Sequence, residues 1–223
     1  QLLSQYPSSV KYTDSTSTFE LGLPLKLVAD GTETLTIGFT ENGMFDASGT
    51  AAAQTQKINS VKLFDLSAPI ITESKLNSDN SKVTIRFSVP VYADAKASLT
   101  LEPDDFKLTL VGGTATLKST TPSSIDSSEN GKRYQLGLDV IGIPDGREVL
   151  TINPVDNNIY DDAANPANKV QDNNSMNLFD KQPPTITSIS LSKANDTLFV
   201  TLSEAAYAKD TGSDTLVIGD FTL

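Results

Sequence analysis

Apolar residues along this chain recur at every second position, in short runs broken by Gly, Pro, Asn and Asp. Val83, Ile85, Phe87 and Val89 alternate with other residues, as do Phe106, Leu108 and Leu110, and again Tyr134, Leu136, Leu138 and Val140. A period of two puts one face of a strand in a core and the other in water, and no stretch carries the helical period instead. Between Pro69 and Pro183 the pattern predicts seven strands. They are Ile70–Leu76, the Val83–Val89 run, Phe106–Leu110, Thr114–Ser119, Tyr134–Val140, one through Leu150 and Ile152, and one through Met176 and Leu178. Gly112-Gly113 predicts a two-residue hairpin between the third and fourth, and Asn130-Gly131 a turn before the fifth. Seven short strands in about 115 residues predict an antiparallel sandwich of two sheets, with a small barrel as the alternative.

The pattern repeats. Shifted by 115 positions, the sequence matches itself without a gap, so that residues 1–108 fall on 116–223. Across 19–72 against 134–187 there are 21 identities in 54 pairs. Leu21-Gly22-Leu23 meets Leu136-Gly137-Leu138, Leu35-Thr36-Ile37 meets Leu150-Thr151-Ile152, and Leu63-Phe64-Asp65 meets Leu178-Phe179-Asp180. Chance similarity between strand-rich sequences would not hold one offset over a whole chain. The expected organisation is therefore the later part of one repeat (1–68), one complete repeat (69–183) and the beginning of another (184–223). The recurring Leu-Phe-Asp-x-x-x-Pro runs the last strand of one unit almost directly into the next. Such a unit adds roughly 30 Å to an array, at about 3.3 Å per strand residue.

The segments PPTITSISLS (183–192), VTLSEAAY (200–207), GDFTL (219–223), IPDGREVLTINPV (143–155), IYDDAANPA (159–167) and NLFD (177–180) carry a resemblance. Chain and in-phase partners together are similar to the tandem bacterial Ig-like repeats of large cell-surface and adhesin proteins. The resemblance implies an Ig-like β-sandwich. The function implied is a structural or adhesive extracellular segment acting as a rod or spacer. Alternatives are a calcium- or glycan-binding module, or an accessory region of a larger secreted enzyme. The family's Asp-x-x-Gly-Asn turn departs in both copies: Asp161-Asp162-Ala163-Ala164-Asn165 lacks the glycine, and Asp46-Ala47-Ser48-Gly49-Thr50 lacks the asparagine.

Composition narrows the chemistry. The chain has no His and no Cys, so a Ser-His-Asp triad, a thiol nucleophile and His-ligated zinc are all excluded, and no enzymatic activity is expected. A large secreted chain without cysteine suits a bacterial or archaeal surface better than an animal ectodomain. The absence of Trp removes the usual sugar-stacking platform, and the tyrosines at 92, 134, 160 and 207 are expected to be buried. A net charge of −11 argues against a nucleic-acid partner. No run of residues is long and apolar enough to suggest a membrane span. Calcium is the cofactor to consider, since hard cations take carboxylate and carbonyl oxygens. Asp65 and Asp180 sit in the linkers, Asp46 and Asp161 in matching turns, and Asp162 and Asn158 beside the second turn. Each also has an ordinary reading as a turn or cap residue. Asn173-Asn174-Ser175 and Asn195-Asp196-Thr197 match the N-glycosylation pattern.

The two end segments predict something further. Residues 1–66 supply the last four strands of a unit and 184–223 the first three, and together they lack only the counterparts of 109–115. Either this is one period of a longer or fibrous array, or copies complement each other head to tail as a filament.

Overall fold

The computed structural model describes residues 1–13 and 17–222. Fifteen strands follow one another: β1 (Val10–Tyr12), β2 (Phe19–Leu21), β3 (Thr34–Thr36), β4 (Ser60–Lys62), β5 (Ile71–Leu76), β6 (Lys82–Phe87), β7 (Phe106–Val111), β8 (Thr116–Leu117), β9 (Ile125–Ser128), β10 (Arg133–Gly137), β11 (Val140–Ile141), β12 (Val149–Pro154), β13 (Ser175–Asn177), β14 (Ile186–Leu191) and β15 (Leu198–Leu202). Only short 3-10 turns interrupt them, and every ladder is antiparallel. The protein is all-β, as the period-two pattern predicts.

Residues 71–178 carry the core. One sheet has the order β5-β6-β10-β9 and the other β13-β12-β7, with β8 and β11 as a small extra ladder. The alternating residues of the pattern point between the sheets. Val83, Ile85, Phe87, Tyr134 and Leu136 come from the first, and Phe106, Leu108, Leu150 and Ile152 from the second. Phe87 meets Tyr134 edge-on at 6.2 Å within its own sheet and Phe106 across the gap at 6.4 Å. Burying each such side chain contributes roughly 1.5–3 kcal/mol, and the mutual tilt of the rings adds to that.

Local sequence explains several details that alternation alone misses. β9 is a strand of Ile-Asp-Ser-Ser that no apolar alternation announces; it forms because the Glu129-Asn130-Gly131 turn, left-handed at all three residues, folds it back on β10. The expected Tyr134–Val140 strand breaks after Gly137 and resumes as β11 against β8, in a different ladder. Gly112-Gly113 is not a hairpin. β7 pairs with β12 instead, and the two glycines carry the chain across to β8 over a buried carboxylate. The fourth expected strand shrinks to Thr116-Leu117 for the same reason.

The flanking segments repeat this geometry at the 115-residue offset. Val10↔Leu21 in β1–β2 corresponds to Ile125↔Leu136 in β9–β10, and Leu35↔Val61 in β3–β4 to Leu150↔Met176 in β12–β13. Even the irregularities recur, the register shift between Ile71 and Glu73 returning between Ile186 and Ser188. Residues 1–68 form four strands, of which β1 is the copy of β9 and not of the expected Thr114–Ser119 strand. The last segment forms two rather than three, and of the counterparts of β7 the sequence holds Phe221, Thr222 and Leu223, the last outside the described residues.

Candidate functional site

Two features have the character of built sites: the joint between consecutive units, and the open faces of the flanking segments. The joint is short and held from both sides. Leu66 N–H donates to Ala29 O (2.9 Å), the Ser67 hydroxyl donates to the same carbonyl (3.1 Å), and Ser67 N–H donates to the Asp65 carboxylate (2.8 Å). From the far side, the Asn165 amide donates to Asp65 O at 3.3 Å. Asn165 is aimed by Asp161, whose carboxylate is buried and accepts from Ala163 N–H, Asn165 N–H and the Asn165 side chain.

The end of the complete unit has a second lock. Asn80 sits at the β5–β6 turn with a left-handed backbone (φ 61°), and its buried side-chain amide acts like one more peptide group. It donates to Phe179 O (2.7 Å) and accepts from Phe179 N–H (2.8 Å). Gln171 works similarly: its Nε2 donates to Asn168 O, which turns Oε1 toward Ile71 N–H at 2.7 Å. Asn174 donates to Ile152 O. Sequence reading did not single out these amides. Their signal was identity in both copies, as Asn80/Asn195, Gln56/Gln171 and Asn59/Asn174.

Glu148 is fully buried. Thr114 N–H (2.8 Å), Ala115 N–H (2.9 Å) and Asp145 N–H (3.1 Å) donate to it. Burial pushes its pKa up, but these amides outweigh burial and hold it below the usual value. Gly113, at φ 56°, is required here, because a Cβ on it would overlap the Glu148 carboxylate. Asp105 behaves oppositely. Burial raises its pKa, against the hydrogen bonds it accepts from Glu102 N–H and the Asn158 side chain.

The residues considered for calcium fall in turns. Asp46 accepts from Ser48 N–H and Thr50 N–H, matching Asp161; Asp65 and Asp180 each accept from the amide two residues on. Asp162 is exposed, and Asn158 faces Asp105 rather than Asp161. Among the described residues no three acidic side chains come together as an ion site. Of the tyrosines, Tyr134 is buried with its hydroxyl donating to Val91 O (3.0 Å), and its pKa is pushed up to about 12 by burial. Tyr92 and Tyr160 are half-buried, but Tyr207 is exposed because the strand that covers Tyr92 has no counterpart over it.

The open faces are the flanking segments' versions of the core. Ile152 is 0% exposed and its counterpart Ile37 43%; Ile71 is 1% and Ile186 59%; Phe106 is 1% and Phe221 56%. In the first segment these residues line a cleft of 1410 Å³.

No family model matches the chain, and no curated protein is similar to it. Three solved structures are similar in part. A crystal structure of the S-layer protein rSbsC(31-844) is 21% identical, covers 56% of this chain and 15% of that one, and has a TM-score of 0.35. A structure of domains 1-6 of the surface layer protein SbsC is 21% identical with the same coverage and a TM-score of 0.31. The N-terminal part of the bacterial S-layer protein SbsC is 24% identical, covers 56% of this chain and 26% of that one, and has a TM-score of 0.30. The matched part of each is thus a small share of its length.

Proposed function

We propose that this chain is a structural segment of an extracellular surface protein or filament, a rod or spacer assembled from tandem Ig-like units. The Ig-like assignment is supported by strand order. With the small β8–β11 ladder set aside and the other strands lettered in sequence, β5, β6, β10 and β9 stand as A-B-E-D and β13, β12 and β7 as G-F-C, the arrangement of an Ig constant-type sandwich. The rod reading is carried by one observation, the joint: a linker bonded to the unit before it through Ala29 and to the unit after it through Asn165. A loose tether between binding modules would have no use for such bonds, since flexible linkers keep their polar groups in water. Part of the joint recurs at the second boundary, where Lys181 N–H donates to Pro144 O (2.8 Å) as Leu66 N–H does to Ala29 O, in keeping with an array of fixed pitch.

The chain has no cysteine, so spin labels at Lys62→Cys and Lys107→Cys report one distance across the joint. A single narrow distance distribution is expected, broadening in Asn165→Ala. A broad distribution in the unaltered joint would overturn the rod reading.

A further inference from the structure

Both linkers follow one plan, each anchored on either side of a two-residue span. In the first, Leu66 and Ser67 belong to the earlier unit: Leu66 N–H and the Ser67 hydroxyl donate to Ala29 O, and Ser67 N–H donates to Asp65. Ile70 belongs to the later unit, where its N–H donates to Ser88 Oγ (3.2 Å) and its carbonyl accepts from Ser88 N–H (2.9 Å). In the second, Lys181 and Gln182 are held by Pro144 O and the Asp180 carboxylate, and Thr185 exchanges the same two bonds with Ser203 (2.9 and 2.8 Å).

What spans the gap differs: Ala68-Pro69 in the first joint, Pro183-Pro184 in the second. Among the described residues none of the four makes a hydrogen bond. A proline ring fixes φ at about −65°. With two prolines, neither spanning residue turns about its N–Cα bond. With one, Ala68 can turn, although the proline after it keeps it out of the helical region. The first joint therefore has one free backbone rotation that the second lacks, and it is this joint that carries the Asn165 contact. We propose that the first joint is a latched hinge, with Ala68 as its pivot and the bond from Asn165 to the Asp65 carbonyl as its latch. This deepens the rod reading and rests on it.

The latch is aimed by its own turn. The Asn165 amide has two hydrogens: one goes to the Asp161 carboxylate (3.0 Å) and holds the side chain, the other to Asp65 O (3.3 Å) and holds the linker. The first copy of the turn shows that the latch depends on the residue and not on the backbone. Asp46 accepts from Ser48 N–H and Thr50 N–H at 2.9 and 2.8 Å, as Asp161 does from Ala163 N–H and Asn165 N–H at 3.0 and 2.8 Å. Gly49 and Ala164 share a left-handed backbone, φ 82° and 68°. Thr50, however, offers a hydroxyl with a single hydrogen, which cannot bond the acid and a linker at once. The same turn thus exists in a latching and a non-latching form. A neutral hydrogen bond shifts a two-state ratio by roughly two- to tenfold, enough to bias a hinge with one free rotation and too little to hold it against load. Opening swings the later unit about Ala68 and leaves the anchors at Ala29 and Ser88 intact.

The test follows the distance between spin labels at Lys62→Cys and Lys107→Cys in the 223-residue chain. The unaltered joint is expected to give one narrow distribution. Asn165→Thr, the residue of the other copy, should raise the share of other distances roughly two- to tenfold. Adding Ala68→Pro, which makes the span that of the second joint, should restore the narrow distribution. Amide exchange at Ala163, which is bonded to Asp161, should stay as slow in Asn165→Thr as in the unaltered chain. Distances that stay narrow in Asn165→Thr overturn the latch, and so does broadening that comes with fast exchange at Ala163, since the turn itself is then lost. Distances that stay broad in the double variant overturn the pivot. A distribution already broad in the unaltered chain is instead the failure of the rod reading, so the two failures are told apart.

Discussion

The complete unit and the flanking segments are written in the same sequence pattern and adopt the same strand pairings, yet one has a core and the others have faces. Ile152 lies in β12 and Ile37 directly after β3, and they make equivalent backbone bonds, Ile152 N–H to Asn174 O and Ile37 N–H to Asn59 O. What differs is the next strand of the same sheet: Leu108 in β7 pairs opposite Ile152, and no such strand lies beside β3. Local pairing is thus encoded within a hairpin, while burial is encoded by segments far apart along the chain. The strands record the difference in their lengths. β12 runs six residues between two partners, and β3 runs three with one.

This contrast can be broken or sharpened by matched substitutions. Ile152→Ala should cost about 2–5 kcal/mol in denaturant unfolding, as cavities in packed cores do, whereas Ile37→Ala should cost under about 0.5 kcal/mol. Equal losses at the two sites would mean that the cleft is filled. Glu148→Ala strands three backbone amides, each worth roughly 1–3 kcal/mol, so a loss of about 3 kcal/mol or more is expected against a small one for Glu33→Ala.

The same carboxylate gives a pH signature. Because the folded state holds the Glu148 pKa below its ordinary 4.5, its contribution is complete above pH 4.5 and is lost as pH falls through the folded value. Asp105, raised above 3.8, works in the opposite sense and gains as pH falls. Glu148→Gln should therefore flatten the acid limb of the stability profile below pH 4.5, and Asp105→Asn should steepen it; urea midpoints across that range decide both. Asn80→Ala unties both backbone groups of Phe179 and should cost about 1–3 kcal/mol, with amide exchange at Phe179 speeding up in step. The smallest effect is a gain. Ala164 adopts φ 68° where the other copy places Gly49 at φ 82°, so Ala164→Gly should raise stability by about 1 kcal/mol, seen as a higher Tm.

Much of this was legible in the sequence, for identifiable reasons. Period-two alternation located β5, β6, β7, β10 and β12, because their inward residues face a core on one side only. The repeat register placed the flanking strands β2, β3, β4, β14 and β15, while β1, the copy of β9, was missed with it. The sequence reading failed where side chains, not apolar faces, decide the path. Gly112-Gly113 read as a hairpin because the signal for a tight turn and the signal for close passage over Glu148 are the same two glycines. β9 went unseen because its sheet-edge position asks for little burial. The acids repeated in both copies, Asp46, Asp161, Asp65 and Asp180, bond amides of their own turns, and the contact from the joint to the next unit comes from Asn165, which the sequence reading did not single out.

The Asn80 lock has a mechanical consequence. A chain pulled from both ends feeds load into the complete unit near Ile71 and draws it out near Phe179. Ile71 is tied to Gln171, and Phe179 to Asn80 in the turn beyond β5, so both points of loading are bonded across to the opposite end of the unit. Tension meets those side-chain amides before it reaches the aromatic core. Under such a pull these few hydrogen bonds are expected to open before the packed core does, as a small fuse would.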